Sequence, residues 1–218
     1  MLKISNRGVV PPLIVMDVMR AANERASSGE DVIHLEVGQP SSPAPLKVLE
    51  TAKSALIDDK LGYTDALGNF PLREKISSHY RKFYGLELDP RRIVITTGAS
   101  GGLLLSFLSA FDAGDRVGLA SPSYPAYRNM LTALGISVLE IPVGDQSHFQ
   151  LTVGIMESLS EKIDGLIIAS PSNPTGSMIS ASAMSDLVGW CDRSGVRLIS
   201  DEIYHGIVYG ERASTALT

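Results

Sequence analysis

Only one cysteine, Cys191, occurs in 218 residues. That excludes a disulfide framework and fits a reducing compartment. Cys191 falls in a stretch of helical periodicity from Ala183 to Arg193, where a packed thiol is expected rather than a nucleophile. Basic charge is also scarce. The net charge is -5 and the isoelectric point is near 5.4, which argues against a nucleic-acid or anionic-membrane surface. The densest basic pair, Arg91-Arg92, reads as the entry to a strand. No apolar run reaches transmembrane length. Lys3 and Arg7 precede an apolar stretch, but Pro11 and Pro12 interrupt it and Asp17 ends it, so no signal peptide fits. His34, His79, His148 and His205 are scattered without metal-ligand spacing, and no metal is expected. These absences lead to the expectation of a soluble, cytoplasmic protein.

The composition itself is that of an ordinary globular chain, 44% hydrophobic and 20% charged. Residues 1–12 read as an extended arm. Leu13, Met16, Val18, Met19 and Ala22 then recur at helical spacing up to a stop at Gly29. Val32 to Val37 alternates like a short strand. The turn-rich connection from Gly38 to Pro45 marks the expected boundary. Residues 1–45 form the arm and a small-domain segment, and 46–218 form a partial large domain. A helix is expected from Leu46 to about Asp58, and a second after Gly68 with Leu72, Ile76 and Phe83 on one face. From Arg92 onward, strands at about 93–97, 116–120, 136–141, 165–169 and 196–200 alternate with helices at about 101–111, 124–134, 152–162 and 181–194. This rhythm predicts an α/β fold of three layers, a doubly wound and mostly parallel sheet with a small N-terminal segment.

Chemistry concentrates where these strands end, the edge at which open α/β sheets bind ligands. Gly98-Ala99-Ser100-Gly101-Gly102 follows the first aliphatic run. A glycine-rich turn opening a helix presents backbone N–H groups to an anion, although glycine also serves such turns for steric reasons alone. Its spacing matches neither G-x-G-x-x-G nor a Walker A loop. Asn173-Pro174 follows Gly165 to Ala169 and aims an amide at one spot, with a cis peptide open to the Asn-Pro bond. The competing reading is a plain turn. Asp201 ends the last aliphatic strand, where a carboxylate is costly to desolvate without a cationic partner. A metal, a protonated ring nitrogen of a cofactor, or a helix N-cap would each account for it. Tyr204 lies three residues on, close to Asp201 if a helical turn follows. Tyr124 sits at the ligand edge after the second strand, placed to stack on a planar ring or to cover the core.

In order along the chain, these segments resemble the class I/II aminotransferases, pyridoxal-phosphate enzymes of fold type I. The matching pieces are Gly38-Gln39-Pro40; Tyr63 with Gly68 and Leu72-Arg73; Thr97-Gly98-Ala99-Ser100; Pro122-Ser123-Tyr124-Pro125; Ser172-Asn173-Pro174-Thr175-Gly176; and Ser200-Asp201-Glu202-Ile203-Tyr204. Asn-Pro-Thr-Gly followed by Asp-Glu-x-Tyr at this spacing is the most specific part. The resemblance implies an enzyme that transfers an amino group between an amino acid and a 2-oxo acid, using pyridoxal 5'-phosphate. It assigns Gly98, Ala99 and Ser100 to the cofactor phosphate, Tyr124 to the ring face and Asp201 to the ring nitrogen. Asn173 and Tyr204 are assigned to the ring 3-oxygen, and Tyr63 to the phosphate of a neighbouring subunit in a homodimer. Gly38 and Asn173 are assigned to the substrate side.

One part of the family pattern is missing. The Schiff-base lysine is expected beyond Thr218, and none of Lys3, Lys47, Lys53, Lys60, Lys75, Lys82 and Lys162 has its motif context. The chain is therefore expected to be an N-terminal portion of such an enzyme, inactive alone and without a catalytic residue of its own. In the family's sheet two further strands insert beside the first. Two other readings share the residues: a C–S lyase acting by β-elimination, and a non-catalytic cofactor-binding module.

Overall fold

The computed structural model describes residues 2–38 and 42–217; Gln39 and Pro40 of the Gly-Gln-Pro motif lie outside them. Two compact units emerge, one of residues 12–66 and a larger one of residues 1–11 and 67–218. The cuts fall between residues 11 and 12 and between residues 66 and 67. The smaller unit holds α1 (Ile14–Ser27) and α2 (Leu46–Asp58), both with no buried residue. Val32 to Val37, expected as a strand, forms none, because alternation without a partner chain beside it closes no ladder.

In the larger unit the short aliphatic runs, too brief for helices and rich in β-branched residues, become strands. They are β1 (Arg116–Ser121), β2 (Ser137–Pro142), β3 (Gly165–Ala169) and β4 (Arg197–Asp201). All pairings are parallel and the order is β2-β1-β3-β4. Before β1 come α3 (Phe70–Tyr84) and α4 (Gly98–Ala110), and between the strands run α5 (Pro125–Leu134), α6 (Val153–Glu157) and α7 (Ala181–Ser194). Successive residues of β3 face opposite ways. Leu166 and Ile168 join a core with Met156 of α6 and with Met184, Leu187 and Cys191 of α7. Ile167 joins a second core with Leu103 and Phe107 of α4 and with Tyr127 and Leu131 of α5. Helices thus cover both faces, the expected doubly wound, three-layer arrangement. Each fully buried side chain such as Phe107 or Leu131 contributes about 1.5–3 kcal/mol. Packing at β3 is tight: a Cβ on Gly165 would overlap the Phe111 ring.

Several expectations need correction. Residues 93–97 make no strand; Ile95 N–H donates to Leu67 O at 2.9 Å, and no strand pairs with the segment among the described residues. An aliphatic run stays merely extended without a ladder partner. The free side of β4 leaves the sheet with an open edge there. The glycine-rich segment is not a turn before α4 but its first turn, with Gly98 at φ +75° supplying the entry. Helix α6 stops at Glu157 because the Ser158 hydroxyl donates to Ile155 O at 2.7 Å and competes with helix continuation. On α3 the buried residues are Arg73 and Ser77, while Leu72 and Phe83 are exposed. Arg73 is held by the carbonyls of Gly68 and Pro90, and Ser77 by that of Leu88. The N-terminal arm is not wholly extended. It makes a 3-10 turn at Asn6–Gly8, and Pro11 O accepts from Asn129 of α5 at 3.0 Å.

Candidate functional site

The chain leaves β1 for β2 on one side and reaches β3 and then β4 on the other, so the strand order reverses between β1 and β3. Crevices at the carboxyl ends of strands form at such switch points. Here one encloses about 280 Å³ and is lined by Gly98, Ala99, Ser100, Tyr124, Asn173, Asp201 and Tyr204, together with Thr97, Tyr127 and Ile203. Seven of the eight residues assigned to the cofactor on sequence grounds therefore share one cavity. Tyr63, the eighth, and Gly38 belong to the smaller unit, where both are exposed.

Each element presents its residue for a local reason. Helix α4 has no side-chain cap on its first turn, and Gly98 N–H donates to Thr96 O at 2.9 Å, so the amides of Ala99 and Ser100 keep free hydrogen-bonding capacity at the positive end of the helix dipole. Tyr124 is the N-cap of α5, with Pro125 starting the helix. Its ring meets the Tyr127 ring edge-on, centroids 5.4 Å apart. Asn173 rides a closed turn after β3 in which Ser172 N–H donates to Ser177 O and Gly176 N–H to Ser172 O. The Asn173-Pro174 peptide is cis.

Asp201 is the last residue of β4. Its Oδ2 accepts from the Tyr127 hydroxyl at 2.7 Å and its Oδ1 from the Ile203 N–H at 3.1 Å. The second bond is a local turn rather than a helix cap, since residues 203–206 form a turn and no helix follows. That turn is anchored through Glu202. Its Oε1 accepts from Ser200 Oγ, Thr215 Oγ1 and Ala216 N–H at 3.0, 3.1 and 2.8 Å. His205 Nδ1 lies 2.7 Å from the Tyr84 hydroxyl. These bonds bracket Tyr204 and keep it beside Asp201.

Tyr127 escaped the sequence reading. It is 3% exposed, and burial, followed by its bond to Asp201, pushes its phenol far above the ordinary range. It thus stays a donor to the carboxylate at any physiological pH. The available signal was its position three residues after Tyr124 at a helix start, which puts both rings on one face.

The donor set can be tested against a pyridine ring bearing a phosphate. Uncapped helix amides suit the phosphate, an aromatic face suits the ring, a carboxylate suits a protonated ring nitrogen, and an amide with a phenol suits a ring oxygen. The residues fit. Lysine is absent from the cavity lining, and no group of three His, Cys, Asp or Glu among the described residues is placed to hold a metal. A larger hollow of about 870 Å³ runs along the open side of β4, lined by Asp164, Cys191, Asp192, Arg197, Ser200 and Glu202 among others. It is a trough beside the open edge of β4, and it gathers none of the residues assigned to a ligand. The Cys191 thiol beneath it is 2% exposed and pushed up to about 11 by burial, so it is inert.

Comparison with known proteins agrees with this donor set. Residues 30–217 match the family model for aminotransferase class I and II. The chain is 49% identical over 207 residues to a valine–pyruvate aminotransferase of Mycobacterium tuberculosis, covering 95% of this chain and 53% of that protein. It is 36% identical to a (5-formylfuran-3-yl)methyl phosphate transaminase of Methanocaldococcus jannaschii, covering 93% and 52%. A crystal structure of an aminotransferase from Mycobacterium tuberculosis superposes with a TM-score of 0.94 at 47% identity, over 99% of this chain and 56% of the other. The chain spans about half the length of the curated relatives it matches. With fold, donor set and sequence in agreement, the chain belongs to the class I and II aminotransferases, a family of fold type I that depends on pyridoxal phosphate.

Proposed function

We propose that the full-length protein transfers an amino group between an amino acid and a 2-oxo acid, with pyridoxal phosphate held in the cavity at the ends of β1, β3 and β4. The observation that carries this reading is the meeting of the Asp201 carboxylate with the first-turn amides of α4 around a single hollow. When bound, pyridoxal phosphate supplies a protonated ring that takes up the electron pair left on the substrate α-carbon. Asp201 would hold the proton on the ring nitrogen, since a carboxylate within hydrogen-bonding reach favours the charged form. Tyr127 orients that carboxylate through its hydroxyl. Ala99 and Ser100 would bind the phosphate through backbone N–H groups at the turn that Gly98 opens, with Tyr124 against the ring face. Asn173 and Tyr204 would donate to the ring oxygen, and Asn173 with Gly38 would face the substrate.

The lysine that carries the cofactor in this family would come from the remainder of the full-length protein. The coverage of the relatives supports that source. We also propose a homodimer in which Tyr63 reaches the neighbouring subunit's phosphate, a division of the full enzyme near residue 45 into a small-domain segment and a large domain, and a cytoplasmic location. The dimer rests on family resemblance, the division on the turn-rich connection from Gly38 to Pro45, and the location on the lone buried cysteine. No helix among the described residues is long and apolar enough to cross a membrane.

The test is an exchange assay on the full-length protein with a panel of amino acids against pyruvate and 2-oxoglutarate, alongside titration with pyridoxal phosphate. Exchange that requires the cofactor is the expected result. Elimination of a sulfur leaving group without exchange would replace this reading with that of a lyase.

A further inference from the structure

Behind the cavity, one buried side chain ties together the two ends of the loop that carries Asn173. Gln150 is 7% exposed. Its Nε2 donates to Ala169 O at 3.2 Å, to Ser177 O at 2.8 Å and to Ser177 Oγ at 3.1 Å. Ala169 is the last residue of β3, and Ser177 O also closes the turn by accepting from Ser172 N–H at 2.9 Å. The loop's entrance and exit thus converge on one amide nitrogen. A second observation concerns how Gln150 arrives there. The two residues before it, His148 and Phe149, adopt φ of +49° and +56°, left-handed backbone that is strained for a non-glycine residue. Strain of this kind persists only where the surroundings hold it, and here it delivers Gln150 beneath the loop.

We propose that Gln150 is a positioning residue that fixes the direction of the Asn173 amide toward the cavity. This rests on the reading of Asn173 as a donor to the cofactor's ring oxygen. The competing role is a packing one, since the neighbouring Leu151 is fully buried in the core. A packing role would affect stability alone.

The experiment uses the full-length protein loaded with pyridoxal phosphate and compares wild type, Gln150→Met, Asn173→Ala and the double variant. Three quantities are read: the midpoint of the cofactor's absorbance change with pH, the cofactor dissociation constant, and Tm. Asn173→Ala should raise the absorbance midpoint by about one unit, because a donor to the anionic oxygen is lost. Gln150→Met should move it in the same direction by a smaller amount and weaken cofactor binding by roughly 5–10-fold. In the Asn173→Ala background, Gln150→Met should leave the midpoint where it is. A lowered Tm with an unmoved midpoint overturns the proposal, and so does an equal added shift in the double variant. An unmoved midpoint in Asn173→Ala instead overturns the reading of Asn173 on which the proposal stands. Should Gln150→Met not fold, Gln150→Asn withdraws the amide by one methylene and carries the same comparison. Failure of both to fold would assign Gln150 to the core and sink the proposal.

Discussion

At the carboxyl ends of the strands the chain gathers a carboxylate, an amide, three phenols and a row of helix amides around about 280 Å³, whereas the trough beside β4 offers about 870 Å³ and a scatter of charges. The smaller hollow is the better site. Its groups come from four different segments and complement the parts of a single molecule. The trough's charges, Arg92, Asp164, Asp192, Arg197 and Glu202, are of both signs and include none of the groups assigned to a ligand. What distinguishes them is convergence, not volume.

Substitutions in the two hollows should therefore behave differently, and the largest contrast is at Asp201. Asp201→Ala in the full-length enzyme should lower kcat/KM for exchange by roughly 10²–10⁴-fold while the far-ultraviolet circular dichroism stays native. Undiminished exchange would remove the reason for preferring this cavity. Next is Tyr127→Phe, which removes the donor to Asp201 Oδ2 and leaves the carboxylate under-satisfied. A loss of about 1–3 kcal/mol in stability and a several-fold fall in cofactor affinity should follow, read by melting and by titration. Wild-type values for both would show that the carboxylate needs no support.

Alkaline pH sharpens the contrast in a second way. Tyr127 and Cys191 both have folded pKa values raised by burial, Cys191 to about 11. Their neutral forms are favoured by folding, so their contribution is fully present below the unfolded values, about 8.5 for the thiol and 10 for the phenol. It is lost as pH rises toward the folded values. Melts at pH 8, 9, 10 and 11 should show falling Tm from about pH 9 upward, and Tyr127→Phe should flatten the part above pH 10. A Tm independent of pH across that range would contradict the burial of both groups. The smallest effect is expected in the trough. Asp192 is exposed there, and Asp192→Asn should change stability by within about 0.5 kcal/mol and leave exchange at wild-type level. A marked loss of exchange would make the trough functional.

Most of the fold was legible from local pattern. The aliphatic runs that became β1 to β4 match the expected boundaries to within a residue, and α7 runs from Ala181 to Ser194 as expected. The failures share a cause. Ile93 to Thr97 carries as strong an apolar run as β3, yet a strand exists only by pairing, and pairing depends on a neighbour distant in sequence. On α3 the helical period pointed to Leu72 and Phe83, whereas Arg73 and Ser77 are buried because the carbonyls of Gly68, Leu88 and Pro90 receive them. The site divides in the same manner. Asp201, Asn173 and the Gly98 segment announce themselves by type and place at strand ends. Tyr127 and Gln150 act through hydrogen bonds to residues far along the chain; the spacing from Tyr124 gives Tyr127 a face but not its partner, and nothing local marks Gln150.

The residue order alone determined the alternation of strands and helices, the parallel class of sheet and the family's ordered motifs. These depend on periodicity, backbone propensity and residue identity over a few neighbouring positions. Only the tertiary structure decided that the ends of β1, β3 and β4 share one crevice, that a buried phenol steadies the Asp201 carboxylate, and that one amide clamps the Asn173 loop. Those outcomes depend on distances between segments tens of residues apart, which packing sets and no local pattern encodes.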